Sequence, residues 1–200
     1  MEQKEVWNEI AKSWSERRNE LQTDVGSFLK GKSGRVLDLG CGSGRNMFKS
    51  KDVKFYGVDF SSKMIRLAEE KTKAFGIDAE FIVRDVWDTG YSSDFFDYGV
   101  FCSVLSCIKT PKKRLDSLKE LYRVLKVGGE AMIRVWSRNS SRIKNLEADS
   151  LVPWTKDGKK YMRYYHIYEF NELKTEIEAA GFKILDSYEN GNIVVWVRKE

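Results

Sequence analysis

Cysteine, proline and histidine are scarce in this sequence, and the scarcity of the first two argues against particular classes of protein. The 200 residues include 3 Cys, 2 Pro and 1 His. The cysteines, Cys41, Cys102 and Cys107, are odd in number and lack a second pair at zinc-ligand spacing, which argues against a disulfide framework and a zinc site. With two prolines, no low-complexity tract and no internal repeat, nothing indicates a linker between domains. We therefore predict a single domain over residues 1–200.

Long apolar runs are missing as well. No window approaches the roughly 20 apolar residues of a membrane span, and the N-terminal "MEQKEVWNEI" is charged and has no apolar signal core. These features predict a cytoplasmic protein with no membrane partner. The formal net charge of +5 favours a polyanionic partner, although a surface rich in Lys and Glu also serves solubility alone.

Helical and strand-like patterns alternate along the chain. Amphipathic spacing, serine and threonine caps and terminal glycines predict helices at 4–18, 21–30, 61–76, 110–129 and 171–181, with Asn171 as the cap of the last. Short apolar runs predict strands at 35–39, 54–59, 79–85, 97–104, 130–137, 182–189 and 192–199. The last two strands are joined at "NGN", which is typical of a hairpin. The alternation indicates a doubly wound α/β sheet with an antiparallel edge.

One connection does not fit this regular pattern. Residues 138–165 are polar and irregular, and they are long for a link between a strand and a helix. A connection of this length is usually a functional insert or a disordered segment. We predict that 138–168 and the N-terminal helices, 1–30, form the substrate side of the domain.

A glycine-rich turn follows the first strand, in "VLDLGCGSGRN" (36–46). Gly40, Gly42 and Gly44 leave this turn without Cβ atoms, so that a ligand can lie against the backbone at the carboxyl edge of the sheet. The dinucleotide fingerprint needs another small residue where Arg45 and Asn46 stand. In addition, Asp38 precedes the glycines, and its carboxylate would repel a phosphate but not a cation.

Two more acids end the next two strands. Asp59 in "GVDFS" can accept hydrogen bonds from both hydroxyls of a ribose, and Asp85 in "VRDVW" can accept one from an adenine amino group. Phe60 and Val86 can flank a purine ring. Each acid alone could be a cap or turn residue, but together with the glycines they indicate a nucleoside pocket without phosphate donors.

Residues 35–137 resemble the class I S-adenosylmethionine-dependent methyltransferases. "VLDLGCGSG", "GVDFS", "RDV", "FDYGVFCSVL" and "LYRVLKVGGE" are similar to the successive motifs of that family, in the same order. The resemblance implies a Rossmann-like sheet of seven strands and S-adenosyl-L-methionine as cofactor. It places the cofactor on Asp38, Gly40, Gly42, Gly44, Asp59, Phe60, Asp85, Val86 and Cys102.

The flanking segments resemble a narrower family, the tRNA wobble-uridine carboxymethyl methyltransferases of eukaryotes and their archaeal relatives. The similar stretches are "VWNEIAKSWSERR" (6–18), "RVWSRN" (134–139), "LVPW" (151–154) and "RYYHIYEFNEL" (163–173). This resemblance implies esterification of a carboxymethyl group on a uridine of the tRNA anticodon loop. It also implies a small zinc-binding activator protein docked along a sheet edge, for which "VFCSVL" near the fourth strand is a candidate.

The stretch "YMRYYHIY" (161–168) supplies most of the candidates for binding the acceptor. We expect Arg18, Arg163, Tyr165 and His166 to do so, because arginine binds carboxylates bidentately, whereas tyrosine and histidine stack on unpaired bases. The alternative is packing beneath the last helix, which we prefer for Tyr161 and Ile167. Tyr164 and the lone His166 stay open between the two interpretations.

Tryptophans and basic residues near the insert are open to two interpretations as well. We expect Trp136 at a strand end, rather than Trp154, to face the pocket. The basic residues of the insert either contact RNA phosphates or form a solvated surface. They are Arg138, Arg142, Lys144, Lys156, Lys159 and Lys160.

One departure from the narrower family concerns the acceptor. Its members tend to have a pair of histidines after the fourth strand, where this chain has Ser106 and Cys107. A carboxylate is already ionised at neutral pH and needs no general base, which favours a pocket-shaping role for that pair. Two alternatives stay open: a methyltransferase for a small carboxylate or amine, and a cofactor-binding subunit without turnover.

Overall fold

A computed structural model describes residues 1–143 and 145–200 of the chain. The strands are β1 Gly34–Leu39, β2 Val53–Asp59, β3 Ala79–Val83, β4 Phe96–Cys102, β5 Leu125–Trp136, β6 Asp149–Lys156, β7 Lys159–His166, β8 Lys183–Glu189 and β9 Asn192–Arg198. The α-helices are α1 Gln3–Arg17, α2 Thr23–Leu29, α3 Ser62–Phe75, α4 Pro111–Val124 and α5 Phe170–Ala179, and a 3₁₀ turn covers Leu105–Cys107. Lys144, named above with the basic insert, lies outside the described residues.

Seven strands form one sheet in the order β3-β2-β1-β4-β5-β9-β8. The first five are parallel, and β9 runs antiparallel between β5 and β8. This arrangement confirms the predicted doubly wound α/β sheet with an antiparallel C-terminal hairpin. Strand β4 is paired on both sides, so the idea that "VFCSVL" offers an open edge is wrong. The outer strands are β3 and β8.

The side chains of β1 point alternately to the two faces of the sheet, and helices cover both faces. Val36 packs into a cluster with residues of α2 and α3, whereas Leu37 and Leu39 pack into a second cluster with residues of α4 and α5. Successive side chains of a strand point to opposite faces, so an apolar run without alternation identifies a strand buried on both sides. The carboxyl ends of these strands are therefore held by core packing on both faces.

Local signals account for both ends of α3 and for the start of α4. The Ser61 hydroxyl accepts from the Met64 amide at the start of α3, and Gly76 ends that helix at φ 62°. The Thr110 hydroxyl caps α4 before Pro111, as predicted. The cap of α5 is Glu169, however, and not Asn171.

Helix α4 ends at Val124, four residues before Gly128, the first of the two glycines that we expected to stop it. Leu125 already pairs with Phe96 of β4, and both side chains are fully buried. Packing of these side chains in the core outweighs the helical propensity of "LKV". The two glycines that follow lie within β5.

The insert is largely ordered as a β-hairpin, which corrects the expectation of irregular structure. Strands β6 and β7 pair in register across the tip, where Asp157 and Gly158 both have positive φ, 50° and 73°. Two successive positive φ angles define a type I′ turn, for which Asp-Gly is a favoured sequence. The signal was present in "TKDGKK" but was outweighed by the polarity of the flanking residues.

The hairpin packs against the N-terminal helix. Trp154 and Tyr161 join Val6 and Ile10 in a separate hydrophobic cluster. The Trp154 indole donates to the Ser13 hydroxyl at 2.9 Å. Helix α1 is therefore held over the sheet edge from two sides, since it also packs on α3. In the described residues, no helix has both the length and the apolar character needed to cross a bilayer.

Candidate active site

A cavity of about 2180 Å³ opens at the carboxyl edge of the parallel strands. Its floor is the turn after β1 together with residues at the ends of β2, β3 and β4. Other parts of its wall come from α1, the segment after α1, the 3₁₀ turn, the end of β5 with the segment that follows it, and the hairpin strand β7. The edge of a doubly wound sheet at which β1 meets its two neighbours is where such folds bind ligands.

The three glycines of the turn have different roles. A Cβ on Gly40 (φ 77°) would lie 2.3 Å from Val104 Cγ2, so the backbone must pass closely there. At Gly42 (φ 53°), no atom of the described residues lies within 4 Å of a Cβ position, which leaves the backbone open to the cavity. Gly44 packs against Ala68 of α3 and does not line the cavity.

Asp59 ties the turn to the second strand. Its Oδ2 accepts from the Gly42 amide at 2.9 Å and its Oδ1 from the Ser61 amide at 2.9 Å. Burial raises the pKa of this carboxyl to about 6, against the lowering effect of the two amides. Each carboxylate oxygen has a second lone pair, so Asp59 can also accept from a ribose placed in the cavity.

Asp38 lies deeper, behind the glycine turn, and does not line the cavity. It is 2% exposed, and its Oδ2 has no hydrogen-bond partner in the described part of the chain. Burial, followed by the charge of Asp59, raises the pKa of this carboxyl to about 7, whereas Lys71 opposes the shift. A buried carboxylate with an unpaired oxygen is costly unless a cation or donor comes near it.

The remaining predicted cofactor residues line the cavity. Phe60 is half-buried and Val86 is buried. Asp85 lies two residues beyond the end of β3 and is exposed. Cys102 ends β4, and burial raises the pKa of its thiol. Trp87, which the sequence analysis did not single out, adds an aromatic surface with Lys113 Nζ 3.8 Å from its ring centre.

The opposite wall presents aromatic and cationic groups. Trp136 and Tyr165 stack with ring centres 4.2 Å apart and planes inclined by 4°. Arg18, just beyond α1, is exposed, lines the cavity and lies 5.6 Å from the Trp14 ring. Trp136 thus faces the cavity and Trp154 does not. Flat apolar surfaces beside a guanidinium suit a planar, anionic ligand.

Two arginines that sequence reasoning did not select join this wall, Arg45 and Arg134. Arg45 Nε donates to the Glu20 carbonyl at 2.7 Å, and Arg134 Nε lies 3.3 Å from Asp24 Oδ2. Burial lowers the pKa of Arg45, as do the charges of Arg18 and Arg134. Arg134 could have been found as a charge within the apolar run "AMIRVW", and Arg45 as the cation that ends the glycine motif.

Arg163 and His166 do not line the cavity. His166 lies between two carboxylates, with Nδ1 2.9 Å from Asp149 Oδ1 and Nε2 2.8 Å from Glu172 Oε1. These contacts link the hairpin to α5. Direct contact of either residue with the acceptor stays a prediction. Tyr164, between these two residues in the sequence, lines the cavity, and its hydroxyl donates to the Asp149 carboxylate. Tyr161 and Ile167 are buried, as expected for packing residues.

Ser106 and Cys107 occupy the 3₁₀ turn after β4. Ser106 is fully buried and its Oγ accepts from the Trp136 amide at 3.4 Å. Cys107 lines the cavity, and its thiol donates to the Ser103 carbonyl at 3.4 Å. This pair therefore supports the aromatic wall from behind and contributes one thiol to it.

The described basic residues of the insert are spread over two places. Arg142 lines the cavity mouth. At the hairpin tip, Lys156 Nζ donates to the Glu9 carbonyl at 2.8 Å, and Lys159 Nζ lies 5.2 Å from the Tyr161 ring. The tip lysines therefore lie with α1 and form a positive surface outside the cavity.

The family model described as "Methyltransferase domain" matches residues 30–181. The chain is 26% identical to a tRNA (carboxymethyluridine(34)-5-O)-methyltransferase of Schizosaccharomyces pombe, over 94% of this chain and 92% of that protein. It is 30% identical to the protein of that name from Arabidopsis thaliana, over 78% of this chain but only 37% of the relative's length.

Among solved structures, the chain is similar to an S-adenosylmethionine-dependent methyltransferase of Methanosarcina mazei. The TM-score is 0.73 at 25% identity, over 90% of this chain and 98% of that one.

Proposed function

Because this chain belongs to the methyltransferase-domain family, as a class I S-adenosylmethionine-dependent member, we propose that it esterifies the carboxymethyl group of 5-carboxymethyluridine at the tRNA wobble position. One observation carries the proposal: the cavity has the buried Asp59 carboxylate on one wall, with Asp38 buried behind the glycine turn, and arginines beside a stacked aromatic pair on the other wall. The first wall suits a cationic methyl donor, and the second suits a flat, anionic acceptor.

The residues of the first wall fit S-adenosyl-L-methionine. When bound, the cofactor supplies an electrophilic methyl group on a sulfonium centre. Asp59 would accept from the ribose hydroxyls, and Phe60 and Val86 would flank the adenine. The unpaired Asp38 Oδ2 provides negative charge that favours a cationic ligand, and the open Gly42 backbone leaves room for it.

On the second wall, the acceptor needs orientation more than activation. A carboxylate with an ordinary pKa near 4 is already ionised at neutral pH, so no residue has to remove a proton from it. Arg18 would hold the carboxylate, and the Trp136–Tyr165 pair would contact the uracil ring. Catalysis then rests on alignment and on exclusion of water from the cavity.

A tRNA partner also requires a surface for phosphates. The candidates for such contacts are Arg142 at the cavity mouth and, outside the cavity, the lysines at the hairpin tip. Release of counterions from RNA would make such binding weaken as salt concentration rises. We also propose a cytoplasmic location, and a small zinc-binding activator protein that would dock on an outer strand, β3 or β8.

Mass spectrometry of wobble nucleosides tests this function directly. Carboxymethylated tRNA is incubated with the protein and isotopically labelled S-adenosylmethionine, with and without the activator protein. We expect the methyl ester of 5-carboxymethyluridine, carrying the label. Asp59→Ala serves as the inactive control, since it removes the ribose-binding carboxylate. Bound cofactor without label in the RNA under both conditions would contradict the proposal.

A second candidate function is methylation of a small carboxylate or amine, favoured by Ser106 and Cys107 in place of the histidine pair. Binding of an anticodon stem-loop separates the two functions. An RNA ligand that contacts several phosphates should lose affinity by orders of magnitude between about 50 and 200 mM salt. Affinity that does not change over this range would favour the small-molecule enzyme.

A further inference from the structure

Arg163 is a buried cation that pairs with none of the carboxylates in the described residues. It is 5% exposed, and neither of the two polar atoms that it contacts is charged. Its Nη1 donates to the Tyr165 hydroxyl at 2.9 Å, and its Nη2 donates to the Pro153 carbonyl at 3.3 Å. Its Nε is buried and has no partner among the residues that the structure describes.

Aromatic rings surround the guanidinium. Its Cζ lies 5.1 Å from the ring centre of Trp14, 5.2 Å from those of Trp154 and Tyr165, and 5.9 Å from that of Trp7. Cation–π contacts of this kind are favourable. Burying an ion is nevertheless costly, and well-packed apolar residues often replace buried ions without loss of stability. Packing alone therefore does not account for an arginine at this place.

The Tyr165 hydroxyl connects this charge to the cavity. Because the hydroxyl oxygen accepts from Arg163, its own proton is donated in another direction. The Cys107 thiol, on the cavity wall, lies beside this hydroxyl. The Tyr165 ring also stacks on Trp136, which lines the same wall. The positive charge is therefore one hydrogen bond behind the surface that would contact the acceptor, and water is largely excluded between them.

We infer that Arg163 is a positioning residue which makes the acceptor pocket selective for anionic groups, acting through the Tyr165 hydroxyl. The inference rests on the proposed function, in which the acceptor is a carboxylate, but it concerns charge and not the identity of the RNA. A hydrogen bond from a charged donor polarises the hydroxyl that accepts it, which strengthens that hydroxyl as a donor. An anion on this wall would supply a countercharge to Arg163, which no carboxylate of the described residues provides.

The test compares two nucleosides of nearly the same shape, 5-carboxymethyluridine and its neutral amide, 5-carbamoylmethyluridine. Their affinities for the full-length protein are measured by calorimetry in the presence of S-adenosylhomocysteine. We expect the wild-type protein to bind the carboxylate nucleoside at least about tenfold more tightly than the amide, because a hydrogen bond to a charged group contributes that much. Arg163→Met and Tyr165→Phe should each lower the ratio by at least about threefold, leaving the share that Arg18 contributes, and Arg163→Lys should restore most of the loss.

Arg66→Met is the matched control, because it removes one positive charge from an exposed position on α3 and should leave the ratio unchanged. If Arg163→Met weakened both nucleosides equally, the role would be structural and the inference wrong. Should that variant fail to fold, an unchanged ratio in Tyr165→Phe would overturn the inference in the same way, and so would equal binding of the two nucleosides by the wild-type protein.

Failure of the proposed function gives a different result. A wild-type protein that prefers the carboxylate nucleoside but never labels carboxymethylated tRNA would refute the RNA substrate and support the inference. A protein that labels the tRNA while Arg163→Met keeps the full preference would support the function and refute the inference.

Discussion

The two walls of the cavity are built in different ways. The first wall, called the carboxylate wall below, contains Asp59 and Asp85 beside the glycine turn. It comes from chain segments that are neighbours in the sheet, and the Gly42 amide donates directly to Asp59. The arginine and aromatic wall combines residues far apart in sequence, such as Arg18 and Tyr165, which are brought together only when the hairpin packs on α1. The first wall is therefore set by backbone geometry, and the second by long-range side-chain packing.

The largest effect should follow a change in the carboxylate wall. Asp59→Ala removes the acceptor for two ribose hydroxyls and leaves the Gly42 and Ser61 amides unpaired. Since hydrogen bonds to charged groups contribute about 1.5–3 kcal/mol each, we expect cofactor affinity to fall by more than about 100-fold. Calorimetry measures the loss. Asp85→Ala, at an exposed position, should cost clearly less, and equal losses would show that the two acids are not distinguished by burial.

In the other wall, Arg18→Ala should depress turnover while sparing the cofactor. We expect kcat/KM for the carboxylate acceptor to fall by about tenfold or more, since a charge-assisted contact is lost. Arg17→Ala is the matched control, because the Arg17 guanidinium lies 5.1 Å from the Trp154 ring and does not line the cavity. Loss of cofactor affinity in Arg18→Ala would mean that the two walls do not act separately.

The pH dependence of cofactor binding depends on Asp38. Its pKa is raised to about 7 in the free protein, and a cationic ligand binds the ionised form more tightly. Affinity should therefore be constant above pH 7 and fall by up to about tenfold per pH unit below it. In Asp38→Asn the affinity should be lower throughout and should begin to fall only near pH 6, where Asp59 becomes protonated. Calorimetry over pH 5.5–8.5 is the measurement, and identical profiles for the two proteins would exclude Asp38 as the titrating group.

The smallest effect concerns the hairpin that carries the second wall. Gly158→Ala places a Cβ at φ 73° with open space around it, so only backbone strain opposes it, at about 1–2 kcal/mol. We expect the free energy of unfolding, from urea titration, to fall by that amount. Asp157→Asn should change it little, since asparagine also tolerates positive φ. We expect cofactor affinity to stay unchanged in Gly158→Ala. A loss of cofactor affinity would show that the hairpin also affects the carboxylate wall.

The sheet, its antiparallel hairpin and the glycine turn were predictable because each is encoded locally. Apolar runs, caps at Ser61 and Thr110 and the glycines at 40 and 42 act over a few residues. The boundary at Val124 was missed because pairing with β4 overrides helical propensity. The hairpin was missed although Asp157–Gly158 is a strong turn signal, because its strands are not apolar enough to stand out.

Local sequence was sufficient to bring Asp59, Asp85 and the glycine turn to one edge of the sheet, since the order of parallel strands and their terminal acids determines which groups meet there. It did not show that Asp38 lies behind the turn and that Gly44 packs against α3. Only the tertiary structure distinguished Arg18, which lines the cavity, from Arg163, which lies behind it. It also added Arg45 and Arg134 to the wall. The physical reason is that burial and charge pairing depend on contacts between distant segments, and no short stretch of the chain contains that information.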